Sequence, residues 1–240
     1  MIVTADRPRS MSGASGGPDH PARGRSVALF DLDRTLIHGS SLSVLGRTMV
    51  RHGQVRSGTV AREFIREISF ARHGAHDHTV ERLQRRLLAL AAGRSYRELA
   101  VLATEAAADV VERVYPAARW LVRRHRESGD LTVIVSASPH ELVAAVAAAV
   151  GADAGVGTRS EVIDGTLTGR LAGVFCYGAG KLVQLRAELG ELDLSSSTAY
   201  SDSVSDLPML HACATAVAAN PDRRLLAVAR REGWPVVHLA

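Results

Sequence analysis

Two carboxylates, Asp31 and Asp33, follow directly on the apolar run Val27-Ala28-Leu29-Phe30. Spaced i, i+2, they point the same way off an extended chain. A short apolar run closed by turn-formers reads as a buried parallel strand. Open α/β sheets bind their ligands just beyond the carboxyl ends of such strands. Like charges held that close repel, so the pair needs a cation, a shared proton or two different environments. That demand marks the stretch as a candidate site.

Three later stretches repeat the pattern of a strand ending in reactive groups. Ser136 ends the β-branched run Leu131–Val135 and stands before Ala137-Ser138-Pro139. Hydroxyls at a strand end ahead of a Pro-initiated helix can form a phosphate cradle with backbone N–H groups; Ser136 can equally be an ordinary helix N-cap. Lys181 follows Tyr177-Gly178-Ala179-Gly180 at a helix start. Taken alone it is a surface lysine, and its two glycines do not have the spacing of a Walker loop. Asp202 and Asp206, spaced i, i+4 after the short strand Thr198–Ser201, suit a metal ion and the groups around it. The cluster His73, His76, His78 reads either as a metal site or as a polar loop between helices, and its spacing does not place ligands on one helix face.

In this order, Asp31-Leu32-Asp33-Arg34-Thr35, Ser136, Lys181 and the block Asp202-Ser203-Val204-Ser205-Asp206-Leu207-Pro208 resemble the four motifs of the haloacid dehalogenase (HAD) superfamily. The last block resembles its phosphoserine-phosphatase-like branch, subclass IB. The likeness covers nearly everything after residue 26. It implies an α/β fold, a Rossmann-like, doubly wound, mostly parallel sheet core with an inserted helical cap. It also implies a Mg²⁺-dependent phosphatase acting on a small phosphorylated metabolite. Asp31 would be the nucleophile that becomes an aspartyl-phosphate, and Asp33 the acid and base. Ser136 and Lys181 would bind the phosphoryl group. Mg²⁺ would sit on Asp31, the Asp33 carbonyl and Asp202, with Thr35 and Asp206 supporting the site. Phosphoserine phosphatase proper, transfer to an alcohol on the same machinery, and a non-catalytic anion-binding role are the rival readings. Against phosphoserine itself, Ser40 stands where that branch places a glutamate that meets the substrate's ammonium, and Arg34 replaces a small residue.

The elements that must position these groups divide the chain. Residues 1–26, rich in Gly, Pro, Ser and Arg, read as a disordered tail or a misassigned start without a secretory signal. Residues 27–40 and 116–240 read as the α/β core and 41–115 as the helical cap. In the cap, Phe64, Ile65 and Ile68, then Leu83, Leu87 and Leu88, recur at helical spacing, and Leu99, Leu102, Ala106 and Val110 mark a long amphipathic helix. Asp164-Gly165 between alternating residues signals a hairpin with a structural role. The 240 residues, 46% hydrophobic and only 4% aromatic, predict an aliphatic core. No stretch is apolar enough to span a membrane. Cys176 and Cys213 fit no metal or redox spacing and read as buried thiols in a cytoplasmic protein. From Arg47 to Glu98, eleven arginines face five acids. Phe64, Phe70 and Tyr96 are too few among them to make a base-stacking platform, so nucleic acid is not the expected partner; a rim attracting an anionic substrate is. Oligomeric state is not readable.

Overall fold

The computed structural model describes residues 25–54 and 77–239. Its centre is a six-stranded, wholly parallel sheet in the order β3-β2-β1-β6-β7-β8. The strands are β1 (Val27–Asp31), β2 (Leu131–Pro139), β3 (Ala154–Thr158), β6 (Thr198–Ser201), β7 (Thr215–Ala219) and β8 (Val236–Val237). A separate antiparallel hairpin pairs β4 (Ser160–Ile163) with β5 (Thr166–Leu171). The helices are α1 (Ser41–Arg51), α2 (Asp77–Ala91), α3 (Tyr96–Val111), α4 (Pro116–Glu127), α5 (His140–Val150), α6 (Gly180–Leu189), α7 (Leu207–Ala212) and α8 (Arg223–Glu232).

Strand β1 shows why the sheet is covered on both faces. Its residues alternate between two cores: Ala28 and Phe30 enter one, Val27 and Leu29 the other. The first core takes Ala103, Ala106 and Val110 of α3, Val122 of α4 and Val143 and Val146 of α5. The second takes Leu185 of α6, Met209 and Leu210 of α7 and Leu225 and Ala229 of α8. This is the doubly wound α/β arrangement. From β1 the chain runs outward to β2 and β3, then returns past β1 to β6. The crevice at the ends of β1 and β6 is therefore the topological switch point, where such sheets bind ligands.

Local signals set the element ends. Pro116 is the first residue of α4, and Gly129 follows its last turn at φ +91°. Asp164 and Gly165 both have positive φ, the geometry of a tight hairpin turn. Gly155 and Gly157 let β3 lie against α5: a Cβ on Gly155 would come 2.5 Å from the Val143 carbonyl oxygen, and one on Gly157 2.6 Å from the His140 Cα. One expectation needs correction. Strand β2 does not stop at Val135 but continues to Pro139, with a register shift against β3 between Val135 and Pro139, and α5 starts at His140.

The segment between β1 and β2 leaves and re-enters the sheet at one point, where the His38 N–H bonds the Arg113 carbonyl and the Tyr115 N–H the Leu36 carbonyl. Within it, α1 packs on α3 and α3 on α5. The β4–β5 hairpin belongs to a different part of the chain but binds this segment through backbone. Gly93 N–H donates to the Leu167 carbonyl, Leu167 N–H to Arg94, and Tyr96 N–H to Gly165. Arg25 and Ser26, placed in the tail by the sequence, bond to the loop before β2, Arg25 on the Gly129 and Asp130 carbonyls and Ser26 on the Asp130 carboxylate. Phe64, Ile65, Ile68, His73 and His76 lie outside the described residues. Among the described residues no helix is long and apolar enough to cross a membrane. Cys176 and Cys213 are unpaired and buried, and burial pushes both thiols up to about 12.

Candidate active site

Asp31 is the last residue of β1, and both its oxygens are held. Lys181 Nζ lies 2.7 Å from Oδ1, and the Thr35 hydroxyl donates to Oδ2 at 2.9 Å. Thr35 reaches back because the chain turns tightly after Asp33, with the Leu36 and Ile37 N–H groups on the Leu32 carbonyl. Lys181 is not a surface lysine. It sits in the first turn of α6 with its side chain 3% exposed, bridging Asp31 and Asp206, whose Oδ2 is also 2.7 Å away. Burial alone would lower this ammonium, but Asp206 and Asp31 hold it above the ordinary lysine range. The Ser201 hydroxyl donates to the same Asp206 oxygen. Asp206 therefore touches Lys181 rather than Asp202, and fixes the lysine that faces Asp31.

Asp33 stands just past the strand end. Its Oδ1 accepts the Ser41 backbone N–H at 2.5 Å, an amide at the N-terminus of α1. That contact aims the second carboxylate at the same crevice as Asp31. Ser41 also joins its hydroxyl to that of Ser138 at 2.7 Å, tying α1 to the end of β2. Ser136 is fully buried within β2 and caps no helix; its hydroxyl accepts the Ser138 N–H. Ala137 and Ser138, not Ser136, line the crevice wall. Ser40 caps α1, its hydroxyl accepting from the Ser43 N–H.

Asp202 follows β6 across the crevice. Its Oδ1 is 3.5 Å from the Thr35 hydroxyl and its Oδ2 is 2.6 Å from Arg34 Nη2. Burial and the Asp31 charge push its carboxyl up to about 8, against the pull of Arg34. Arg34 has φ +64°, and Asn220 holds its carbonyl and that of Thr35 through Nδ2. Among the described residues no three His, Cys, Asp or Glu side chains form a ready-made metal cage. The pair Asp31 and Asp202, both reached by the Thr35 hydroxyl, is instead a sparse, all-oxygen donor set of the kind that suits a hydrated divalent cation.

These groups form the floor of a cleft of about 1030 Å³. Leu42, Leu45 and Met49 of α1 and Leu83 and Leu87 of α2 line its upper wall, and Phe175 and Tyr177 its side. The structure thus brings together Asp31, Asp33, Thr35, Lys181, Asp202 and Asp206, with Ser136 behind the wall. Sequence reasoning placed Ser138 in the hydroxyl stretch after Val135 but missed Ser41 and Asn220, which are plain polar residues until the fold joins α1, β2 and the loop after β7.

A family model described as haloacid dehalogenase-like hydrolase matches residues 28–211. The chain belongs to the HAD superfamily. Phosphoserine phosphatase SerB1 of Mycobacterium tuberculosis is 34% identical over 235 residues, which span 96% of this chain and 76% of that protein. Histidinol-phosphatase of Neisseria meningitidis is 30% identical over 221 residues, 89% of this chain and 99% of that one. Among solved structures, a Bordetella pertussis protein of unknown function matches with a TM-score of 0.79 at 33% identity, covering 90% of this chain and 99% of its own. The HAD protein described here is a hydrolase of the phosphatase type, on the phosphoserine-phosphatase-like branch.

Proposed function

We propose that the protein is a Mg²⁺-dependent phosphomonoester phosphatase working through an aspartyl-phosphate on Asp31. The observation that carries this reading is the Asp31 carboxylate, fixed between Lys181 at 2.7 Å and Thr35 at 2.9 Å at the floor of an open cleft. Beside it stands a second carboxylate, Asp33, positioned by the Ser41 amide. A fixed carboxylate that faces a buried cation is suited to attack phosphorus, because neighbouring positive charge reduces its repulsion from the phosphoryl oxygens.

In the first step an Asp31 oxygen forms a bond to phosphorus while the bond to the ester oxygen breaks. Asp33 gives its proton to that leaving oxygen. In the second, water attacks the same phosphorus, Asp33 takes the water's proton, and the Asp31–phosphorus bond breaks to release phosphate. The chemistry therefore requires the two carboxylates to start in opposite protonation states. Asp31, Asp202 and the Asp33 carbonyl would hold Mg²⁺, which when bound offsets charge on the transferring phosphoryl. Lys181 remains the fixed cation beside Asp31, and Asp206 keeps it there. Ser136 accepts from Ser138 behind the cleft wall and would support the phosphate-binding end of β2 from there.

The substrate is a small phosphorylated metabolite. The named relatives are called phosphatases of different esters, one of phosphoserine and one of histidinol phosphate. Ser40 spends its hydroxyl on capping α1 and offers no charge to an ammonium. This argues against phosphoserine itself. The test is phosphate release from a panel of phosphomonoesters, with Mg²⁺ and with EDTA. Mg²⁺-dependent release with one favoured ester is expected. Asp31→Asn, which keeps the shape of the side chain, should abolish that release and leave the thermal unfolding midpoint within a few degrees of wild type. Undiminished release from that variant would refute the mechanism.

A further inference from the structure

Arg34 is the charged residue of the Asp31–Thr35 loop that this chemistry does not use. Its φ of +64° is a left-handed conformation rare for a long side chain, and Asn220 Nδ2 pins it at 3.0 Å from the Arg34 carbonyl oxygen. From there the guanidinium reaches Asp202 Oδ2 at 2.6 Å. Lys181 and Arg34, the two cations paired with the site's carboxylates among the described residues, are unlike. Lys181 is 3% exposed and tied to two carboxylates, whereas the Arg34 side chain is 28% exposed, borders the cleft and makes its ion pair with Asp202. Lys181 is committed to Asp31 and Asp206, so Arg34 is the counter-ion of Asp202.

We infer that Arg34 is a placeholder cation. It occupies Asp202 Oδ2 until a divalent cation takes that carboxylate, and the released guanidinium then turns into the cleft to bind the phosphoryl oxygens of the substrate. A guanidinium and a divalent ion repel, so the two compete for the Asp202 carboxylate. The same exchange therefore couples metal occupancy to the arrival of a forked, phosphate-matching donor beside Asp31. The second half of this inference rests on the phosphatase reading; the competition for Asp202 does not.

The test is calorimetric titration of the full-length protein with Mg²⁺ alone, then with inorganic phosphate at saturating Mg²⁺. Arg34→Asn removes the cation and keeps a residue that tolerates positive φ. Its Mg²⁺ affinity should rise roughly tenfold, equivalent to about 1.4 kcal/mol, and its phosphate affinity should fall. Unchanged or weaker Mg²⁺ binding would overturn the placeholder. Tighter Mg²⁺ binding with unchanged phosphate binding would overturn the handover to substrate. Arg34→Gly, which relieves the backbone and offers no side-chain oxygen, must show the same increase. If either variant is too unstable to titrate, its Mg²⁺-induced rise in unfolding midpoint must still exceed that of wild type. A wrong phosphatase reading shows differently: wild type releases no phosphate from any ester, while the Mg²⁺ titrations still separate the variants.

Discussion

Replacing Lys181 by Met preserves the length of the side chain and removes its charge. The ammonium is buried, with Asp31 Oδ1 and Asp206 Oδ2 each at 2.7 Å. Taking one partner from a buried ion pair leaves an uncompensated charge and costs about 3–5 kcal/mol. For a chain of this size each kcal/mol moves the unfolding midpoint by roughly 2–4 °C, so Lys181→Met should melt about 6–20 °C below wild type. Adding Asp206→Asn removes one stranded charge while its amide oxygen can still accept from Ser201, 2.7 Å from the present carboxylate. The double variant should regain roughly 2 kcal/mol relative to the single one. Neither variant should turn over, because Asp31 has lost its facing cation. Thermal unfolding in EDTA, with phosphate release assayed separately under Mg²⁺, reads both effects. A Lys181→Met protein that melts with wild type, or a double variant no more stable than the single, would refute the argument that this lysine holds the site together.

Two further outcomes follow from the packing. Gly157→Ala should destabilise the protein and shift Ser138, because its new Cβ would stand 2.6 Å from the His140 Cα and 2.7 Å from the Ser138 carbonyl oxygen; an unchanged unfolding midpoint would contradict the close approach of β3 and α5. His140 is pushed below the ordinary histidine range by burial and by Arg159, against the pull of Glu188 and Glu141. A depressed base stabilises the fold above its unfolded pKa, about 6.5, and that contribution is lost as pH falls through the lower folded value. The midpoint of wild type should therefore drop more steeply than that of His140→Gln from about pH 7 to about pH 5, and parallel curves would show that His140 does not titrate on unfolding.

Much of this architecture is legible in the chain because its signals are local. The run Val27–Asp31, the Asp164-Gly165 turn and Pro116 each fix an element by nearest-neighbour sterics, and all fall where the sequence puts them. Lys181 is legible only with help. A lysine after two glycines says nothing of burial; the resemblance supplied its place, and the structure puts it between two carboxylates. The extent of β2 was not legible, because Ser136–Pro139 carries turn chemistry that pairing with β3 overrides. Contacts such as Ser41 with Ser138, or Asn220 with Arg34, join residues far apart in sequence, and nothing in either residue type announces the partner.

The β4–β5 hairpin carries one more consequence. Its backbone bonds to Gly93, Arg94 and Tyr96 make it a neighbour of the segment inserted after β1, although the chain reaches it only after β3. That segment is therefore not a cassette. Exchanging residues 41–115 between two relatives would leave each graft facing a foreign hairpin, with amide and carbonyl groups mismatched along the seam. Chimeras that transplant the hairpin together with the helices should fold where helix-only grafts fail.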